Sequence, residues 1–188
     1  VTYLINSIAH IWGRQPYSDA SSARDNGLLA LLTYGEGYHN YHHTFQWDYR
    51  NGIKWWQFDP TKWMIKTLSF FGLTKDLKRC PFAQIEKAKL QMQYRFASEK
   101  CDLMDIPEKW RLRLELEYEQ LQQTLQLWAE RKQAWYEARE KQLQDSLAVL
   151  ERVQVKDHYR EVQFQLKTQQ RRWQKLIRNL GSPMPNPA

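Results

Sequence analysis

EKWRLRLELEYEQLQQTLQLWAERKQAW, residues 108–135, sets Leu114, Leu121, Trp128 and Trp135 seven residues apart. That spacing keeps the four side chains on one side of an α-helix, and so long an apolar stripe needs a partner helix to cover it. The pattern continues downstream. Val155, Tyr159, Val162, Leu166, Gln169, Trp173, Leu176 and Leu180 follow alternating steps of four and three, and Leu143, Leu147, Leu150 and Val153 link the two runs in a shifted register. All seven glycines and all seven prolines lie outside residues 108–180, with Pro107 and Gly181 the nearest on either side, so no strong breaker falls in between. Unbroken, such a helix would run about 110 Å at 1.5 Å per residue, so a bend or hairpin is predicted at residues 152–158. The expected fold class is all-α. Residues 107–180 are expected to form a long helical hairpin or coiled-coil extension, open to a coiled-coil partner through residues 108–180, with 181–188 a disordered tail.

Upstream the composition changes. Residues 1–80 carry most of the glycines, four of the five histidines, and aromatic pairs such as Trp55-Trp56 and Phe70-Phe71, and residues 81–106 connect them to the helical extension. Ser22 to Asp25 matches a capping pattern ahead of Leu28, Leu29, Ala30, Leu31 and Leu32, which predicts a helix ending near Gly35. Asp59-Pro60 pairs an N-cap with a proline at the first helical position and predicts a second helix ending at Gly72. On it Trp63, Met64, Ile65, Leu68 and Phe71 are apolar, while Lys62, Lys66 and Lys75 can reach up to phosphates. That suits a helix in a membrane interface, and equally one packed on a soluble core. Trp55, Trp56 and Trp63 carry the same two readings.

The 188 residues are 42% hydrophobic and include nine tryptophans, yet the mean hydropathy is −0.78, so the apolar residues must be concentrated. No run of 18 apolar residues occurs, and residues 1–12 are at most the end of a membrane-spanning helix. The chain opens at Val1, directly in apolar residues with no helix-start signal, and is expected to be a piece of a longer protein. Cys80 and Cys101 are not spaced as a metal motif and no signal peptide is visible, so reduced thiols facing the cytoplasm, without chemistry of their own, are expected. A net charge of +7 and a pI near 9.4 suit nucleic acid, an anionic membrane surface or an acidic redox partner. No nucleic-acid-binding signature accompanies the charge, and no nucleic-acid partner is expected. From Arg160 to Arg178 the bases Arg160, Lys167, Arg171, Arg172, Lys175 and Arg178 face one acid, Glu161. Such a run is a solvated face, or a dock for anionic headgroups or an acidic electron carrier.

The chemistry concentrates in the histidines. His39, His42 and His43 form H-x-x-H-H, and on a helix the three imidazoles fall within an arc of roughly 100°. Five histidines scattered at random would give this spacing roughly 0.4% of the time, which favours a metal site over coincidence. Asn6 and His10, four apart, would share one helix face. An all-nitrogen donor set suits zinc, iron, copper or nickel. Glu36, one helical turn ahead of His39, is a candidate to orient its ring, or a surface carboxylate. Asn40 and Tyr41 flank the site without binding metal, and His158 reads as a solvated helix residue.

Three segments together resemble a known family: Asn6-Ser-Ile-Ala-His10-Ile-Trp-Gly-Arg-Gln-Pro-Tyr17; Gly35-Glu-Gly-Tyr-His39-Asn-Tyr-His42-His43-Thr-Phe45; and Asp48-Tyr-Arg-Asn-Gly52 with Lys54-Trp-Trp-Gln-Phe-Asp-Pro60. They look like the end of the stearoyl-CoA type of delta-9 fatty-acid desaturases, over about residues 1–80. The resemblance implies a four-helix integral membrane protein with a cytosolic cap and a cytoplasmic catalytic face. It implies two non-haem iron ions, molecular oxygen as co-substrate, a small electron-transfer protein as partner, and membrane lipid around it. His10, His39, His42 and His43 are then iron ligands, and Asn6 acts through a bound water. Tyr3 falls where the family has an aromatic, usually Trp, lining the acyl tunnel. Gln15 replaces the usual Arg before Pro-Tyr, and Gln46 the usual Pro after His-His-Thr-Phe. The family's first H-x-x-x-x-H box, its earlier H-x-x-H-H box and its membrane helices are not among these residues, so the chain alone is expected to be inactive. The implied activity is insertion of a cis double bond, delta-9 by family, into a long saturated fatty acyl-CoA or acyl-lipid. The alternatives are a related membrane di-iron hydroxylase, an acyl-lipid desaturase, or a non-enzymatic helical interaction protein acting through residues 108–180.

Overall fold

The computed structural model describes residues 3–142 and 149–181. A π-wound segment, Leu4–Ile8, leads into α1 (Ala9–Ile11), followed by α2 (Gly27–Leu32), α3 (His39–Thr44), α4 (Pro60–Phe70), α5 (Phe82–Leu103), α6 (Glu108–Gln142) and α7 (Val149–Arg178). Among the described residues no strand occurs, only two isolated bridges, Arg14 with Asp25 and Asp25 with Tyr38. The chain is all-α, as its periodicity predicts. None of the described helices is long and apolar enough to cross a membrane. The seam residues Leu143 and Leu147, and the tail expected after Gly181, lie outside the described residues. The chain divides into two compact units between Gln93 and Tyr94, within α5.

In the first unit short helices are held by buried polar groups. Asp59 is fully buried; Oδ1 accepts from Lys62 N at 2.9 Å, capping α4, and Oδ2 accepts from Asn51 N and Gly52 N, both at 2.9 Å. Pro60 follows at the first helical position and Gly72 closes the helix at φ +73°, as the Asp-Pro and Gly signals predict. Lys62 differs from expectation. It is buried, and its Nζ donates to the carbonyls of Gly52, Lys54 and Gln57 at 2.7, 3.0 and 3.3 Å. Its ammonium therefore cannot reach a phosphate, although Lys66 and Lys75 remain exposed.

The cap of α2 also differs from the sequence expectation. Asn26, not Ser22, caps it, with Oδ1 accepting from Leu28 N and Leu29 N at 3.0 and 3.2 Å. Residues 22–25 are drawn away from helix by tertiary bonds, Arg24 N to the Ala9 carbonyl at 2.7 Å and Asp25 N to the Arg14 carbonyl at 2.7 Å. The helix ends before Gly35, as expected. Tyr17, Tyr41, Phe45, Cys80 and Ile85 form the apolar core of this unit.

The second unit is built on an apolar stripe. Tyr118 faces Trp173, and Trp128 and Trp135 face Tyr159, with ring centroids 5.6–6.3 Å apart. The pairing runs in opposite directions along the two chains, so α6 and α7 are antiparallel. Leu114, Leu121, Leu125 and Trp128 of α6 and Val162, Leu166 and Trp173 of α7 are buried, each side chain adding about 1.5–3 kcal/mol over exposure. The break predicted at residues 152–158 does not occur there. Those residues are helical, because Val155 and Tyr159 simply continue the stripe of α7, which is described from Val149 onward. Tyr94 stacks on Tyr118 at 4.1 Å, and Arg111 ties the end of α5 to α6 through the Asp102 carboxylate and the Cys101 carbonyl. Cys80 and Cys101 are free and buried, and burial pushes both thiols up, Cys80 to about 11.

Candidate metal centre

The six residues of α3 sort by face. His39 and His43, one turn apart, point one way, while Tyr41 and Phe45 turn into the core. Two glycines set the entry. Gly35 adopts φ +102° with Asp59 against it, and a Cβ on Gly37 would lie 2.1 Å from Ala30 N, so α2 and the start of α3 touch backbone to backbone there.

Polar latches then fix α3 from behind. Asn40 is fully buried and uses both ends of its amide: Oδ1 accepts from Tyr17 N and Ser18 N, and Nδ2 donates to the Ser18 and Ala23 carbonyls at 2.6 and 3.0 Å. Tyr41 donates from its hydroxyl to Asp48 Oδ2 at 2.6 Å, and the same carboxylate accepts from Cys80 N and from the Arg50 guanidinium. Burial works to raise Asp48, but the Arg50, Tyr41 and backbone hydrogen bonds outweigh it and hold the carboxyl below its usual range. Asp25 accepts from Tyr41 N at 3.0 Å, and burial raises it to about 6 against the lowering effect of that bond.

What these latches present is a cluster of imidazoles. His39 Nε2 lies 3.1 Å from His10 Nε2 and 3.1 Å from His43 Nε2. His10, His39 and His43 each offer a ring nitrogen within 4.8 Å of the others. Two metal–nitrogen bonds of about 2.1 Å at right angles leave their nitrogens about 3.0 Å apart, so this donor set fits one metal ion. His39 is buried, and burial with the neighbouring His43, His10 and His42 rings lowers it to about 4, which keeps it neutral and its lone pair free at pH 7. The same causes lower His43.

His10 comes from 29 residues upstream and shares a hydrogen bond through Nδ1 with Ser22 Oγ at 2.8 Å, which sets the ring with Nε2 toward His39. Ser22 was not legible as a site residue, since its hydroxyl reads equally well as a helix cap. His42 stacks beside His39 with ring centroids 6.3 Å apart, outside the group of three. Asn6 is exposed in the π-wound segment and Tyr3 is 90% exposed. Glu36 lies in the turn before α3, not a helical turn below His39, and its Oε1 accepts from Asn51 Nδ2 at 3.5 Å.

The fatty acid desaturase family model matches residues 1–72. Acyl-CoA desaturase 1 of Saccharomyces cerevisiae is 48% identical over 99 residues, which are 53% of this chain and 19% of the yeast protein. Stearoyl-CoA desaturase 5 of Bos taurus is 45% identical over 89 residues, 47% of this chain and 27% of its own. The chloroplastic palmitoyl-monogalactosyldiacylglycerol delta-7 desaturase of Arabidopsis thaliana is 39% identical over 87 residues, 46% and 24% respectively. The chain thus spans only between 19% and 27% of the length of these relatives. Residues 1–72, which carry the converging imidazoles, are thus similar in sequence to fatty acid desaturases.

Proposed function

We propose that this chain is part of an oxygen-dependent desaturase that inserts a cis double bond, delta-9 by family resemblance, into a long saturated fatty-acyl chain. The observation that carries the proposal is the meeting of His10, His39 and His43 through Nε2 atoms 3.1 Å apart. In the intact protein His10, His39 and His43 would hold one iron, and His42 would serve a second, with upstream histidine boxes completing the set. Bound iron supplies the oxidising power needed to take hydrogen from an unactivated methylene.

This chain's own residues do the positioning. Ser22 sets the His10 ring, while Asn40, Asp25 and Asp48 fix the backbone and Tyr41 of α3 so that the His39 and His43 nitrogens stay converged. Asn6 would contribute through a water, Tyr3 would line the acyl path, and Glu36 would act through its hydrogen bond to Asn51 rather than on a ligand directly. The intact protein would be membrane-embedded with its catalytic face toward the cytoplasm, fed by a small electron-transfer protein. Exposed Trp55, Trp56, Phe70 and Phe71 beside Lys54, Lys66 and Lys75 support a membrane-facing edge on α4 and the turns flanking it.

The acyl carrier is proposed to be coenzyme A, on the strength of the yeast and bovine relatives; the galactolipid named for the plant relative makes an acyl-lipid the second reading. The test is iron content and product of the full-length protein, wild type against His39→Ala and His42→Ala. The wild type is expected to hold about two irons per chain and release a monounsaturated product, and each variant to lose both. A hydroxy fatty acid as the main product would replace desaturation by hydroxylation, and a His39→Ala protein with full iron and activity would make the cluster structural.

A further inference from the structure

α7 has two faces. Val162, Leu166, Trp173 and Leu176 are buried, and roughly opposite them, around the helix, stand Arg160, Phe164, Lys167, Arg171, Lys175 and Arg178, at steps of four, three, four, four and three. All five cations of this outer row are exposed, and Phe164, between Arg160 and Lys167, is 71% exposed. Arg160 shares Asp157, one turn back, at 3.9 Å. Glu161, the one acid between 160 and 178, sits about a quarter turn to the side. Farther along, Lys167, Arg171, Lys175 and Arg178, with Gln170 and Gln174, line a groove of about 630 Å³. We propose that this outer face of α7 docks on an anionic lipid bilayer.

Charge complementarity selects the partner's sign, and Phe164 selects its kind. A row of cations alone suits any polyanion, whereas an exposed phenyl ring set among them suits a boundary that is charged outside and apolar just beneath. The face is about 27 Å long at 1.5 Å per residue and its cations share one side of the helix, so they can meet one plane together. Lipid headgroups are mobile and adapt to the spacing of the side chains, and the groove gives a phosphate four basic neighbours with amides between them. Docking here does not depend on iron, oxygen or an acyl substrate, so it succeeds or fails separately from the desaturase proposal.

The experiment is sedimentation of the full 188-residue chain with phosphatidylcholine vesicles, with and without phosphatidylserine. The wild type is expected to partition more strongly onto the serine-containing vesicles, and salt to release that added partition. Arg171→Gln/Lys175→Gln/Arg178→Gln is expected to lower partition about a hundredfold and Phe164→Ser about tenfold, with helicity by circular dichroism unchanged. Arg113→Gln/Arg131→Gln/Arg139→Gln, exposed cations of α6 with the same change in net charge, is expected to stay within about twofold of wild type. Wild-type partition by the α7 triple variant overturns the proposal. Equal losses in the two triple variants overturn it too, by showing that net charge acts rather than this face. Binding to soluble polyglutamate without binding to vesicles assigns the face to an acidic protein instead.

Discussion

Residues up to Gln93 and residues from Tyr94 onward reach all-helical structure by opposite means. α2 and α3 have six residues each and α4 eleven, lengths at which an isolated helix is marginal in water. They stand because Asn40, Asp48, Asp59 and Lys62 are buried and bonded at nearly every polar atom. α6 and α7, of 35 and 30 residues, rest on a repeated apolar stripe. A stripe tolerates approximate fit. Latches do not, since a buried polar group that loses its partner costs far more than the bond contributed. The unit that must hold three ring nitrogens in place is the one built from latches.

The difference can be broken at several points. The largest effect is expected for Asp48→Ala, which strands the Arg50 guanidinium and the Tyr41 hydroxyl together: a loss of about 3–5 kcal/mol, read as faster hydrogen exchange through residues 40–50. Leu121→Ala should cost about 3 kcal/mol in urea unfolding, while Leu116→Ala, with Leu116 55% exposed, should stay within about 0.5 kcal/mol. Equal effects would mean that the stripe is not what holds α6. Gly37→Ala, which drives a Cβ into Ala30 N, is expected to cost about 1–3 kcal/mol and to weaken metal binding by shifting His39, both measurable on one purified variant.

A further effect is one of pH. Asp25 titrates near 6 in the folded chain against an ordinary 3.8, because burial disfavours its charge. Between those values the folded protein keeps a proton that the unfolded chain has lost. This contribution to stability is therefore full below about 3.8, falls as pH rises, and is gone above about 6, a span of about 3 kcal/mol. Asp25→Asn retains an acceptor for Tyr41 N and should remove that slope from unfolding curves taken across pH 4 to 7.

Sequence showed local signals well and distant ones poorly. Asp59-Pro60 and Gly72 bracket α4 as read, because capping is settled within a few residues, and the stripe of α6 and α7 falls on buried and half-buried positions because its period is a property of the helix itself. Ser22 misled, since its role depends on His10, twelve residues away. Lys62 misled in the same way, its three carbonyl partners being supplied by the loop at 52–57. H-x-x-H-H points to a metal site and its i,i+4 spacing pairs His39 with His43, but nothing in the spacing shows that His10, 29 residues upstream, joins them while His42 stands beside. The histidine string also gives no sign that Asn40, within it, is the residue that ties α3 to the loop at 17–23.

The two thiols have a practical consequence. Cys80 and Cys101 are both buried and held protonated, so neither should compete for a maleimide at neutral pH. A single cysteine introduced at an exposed position of the folded chain would then carry a fluorophore or spin label alone, with no need to remove the native pair first.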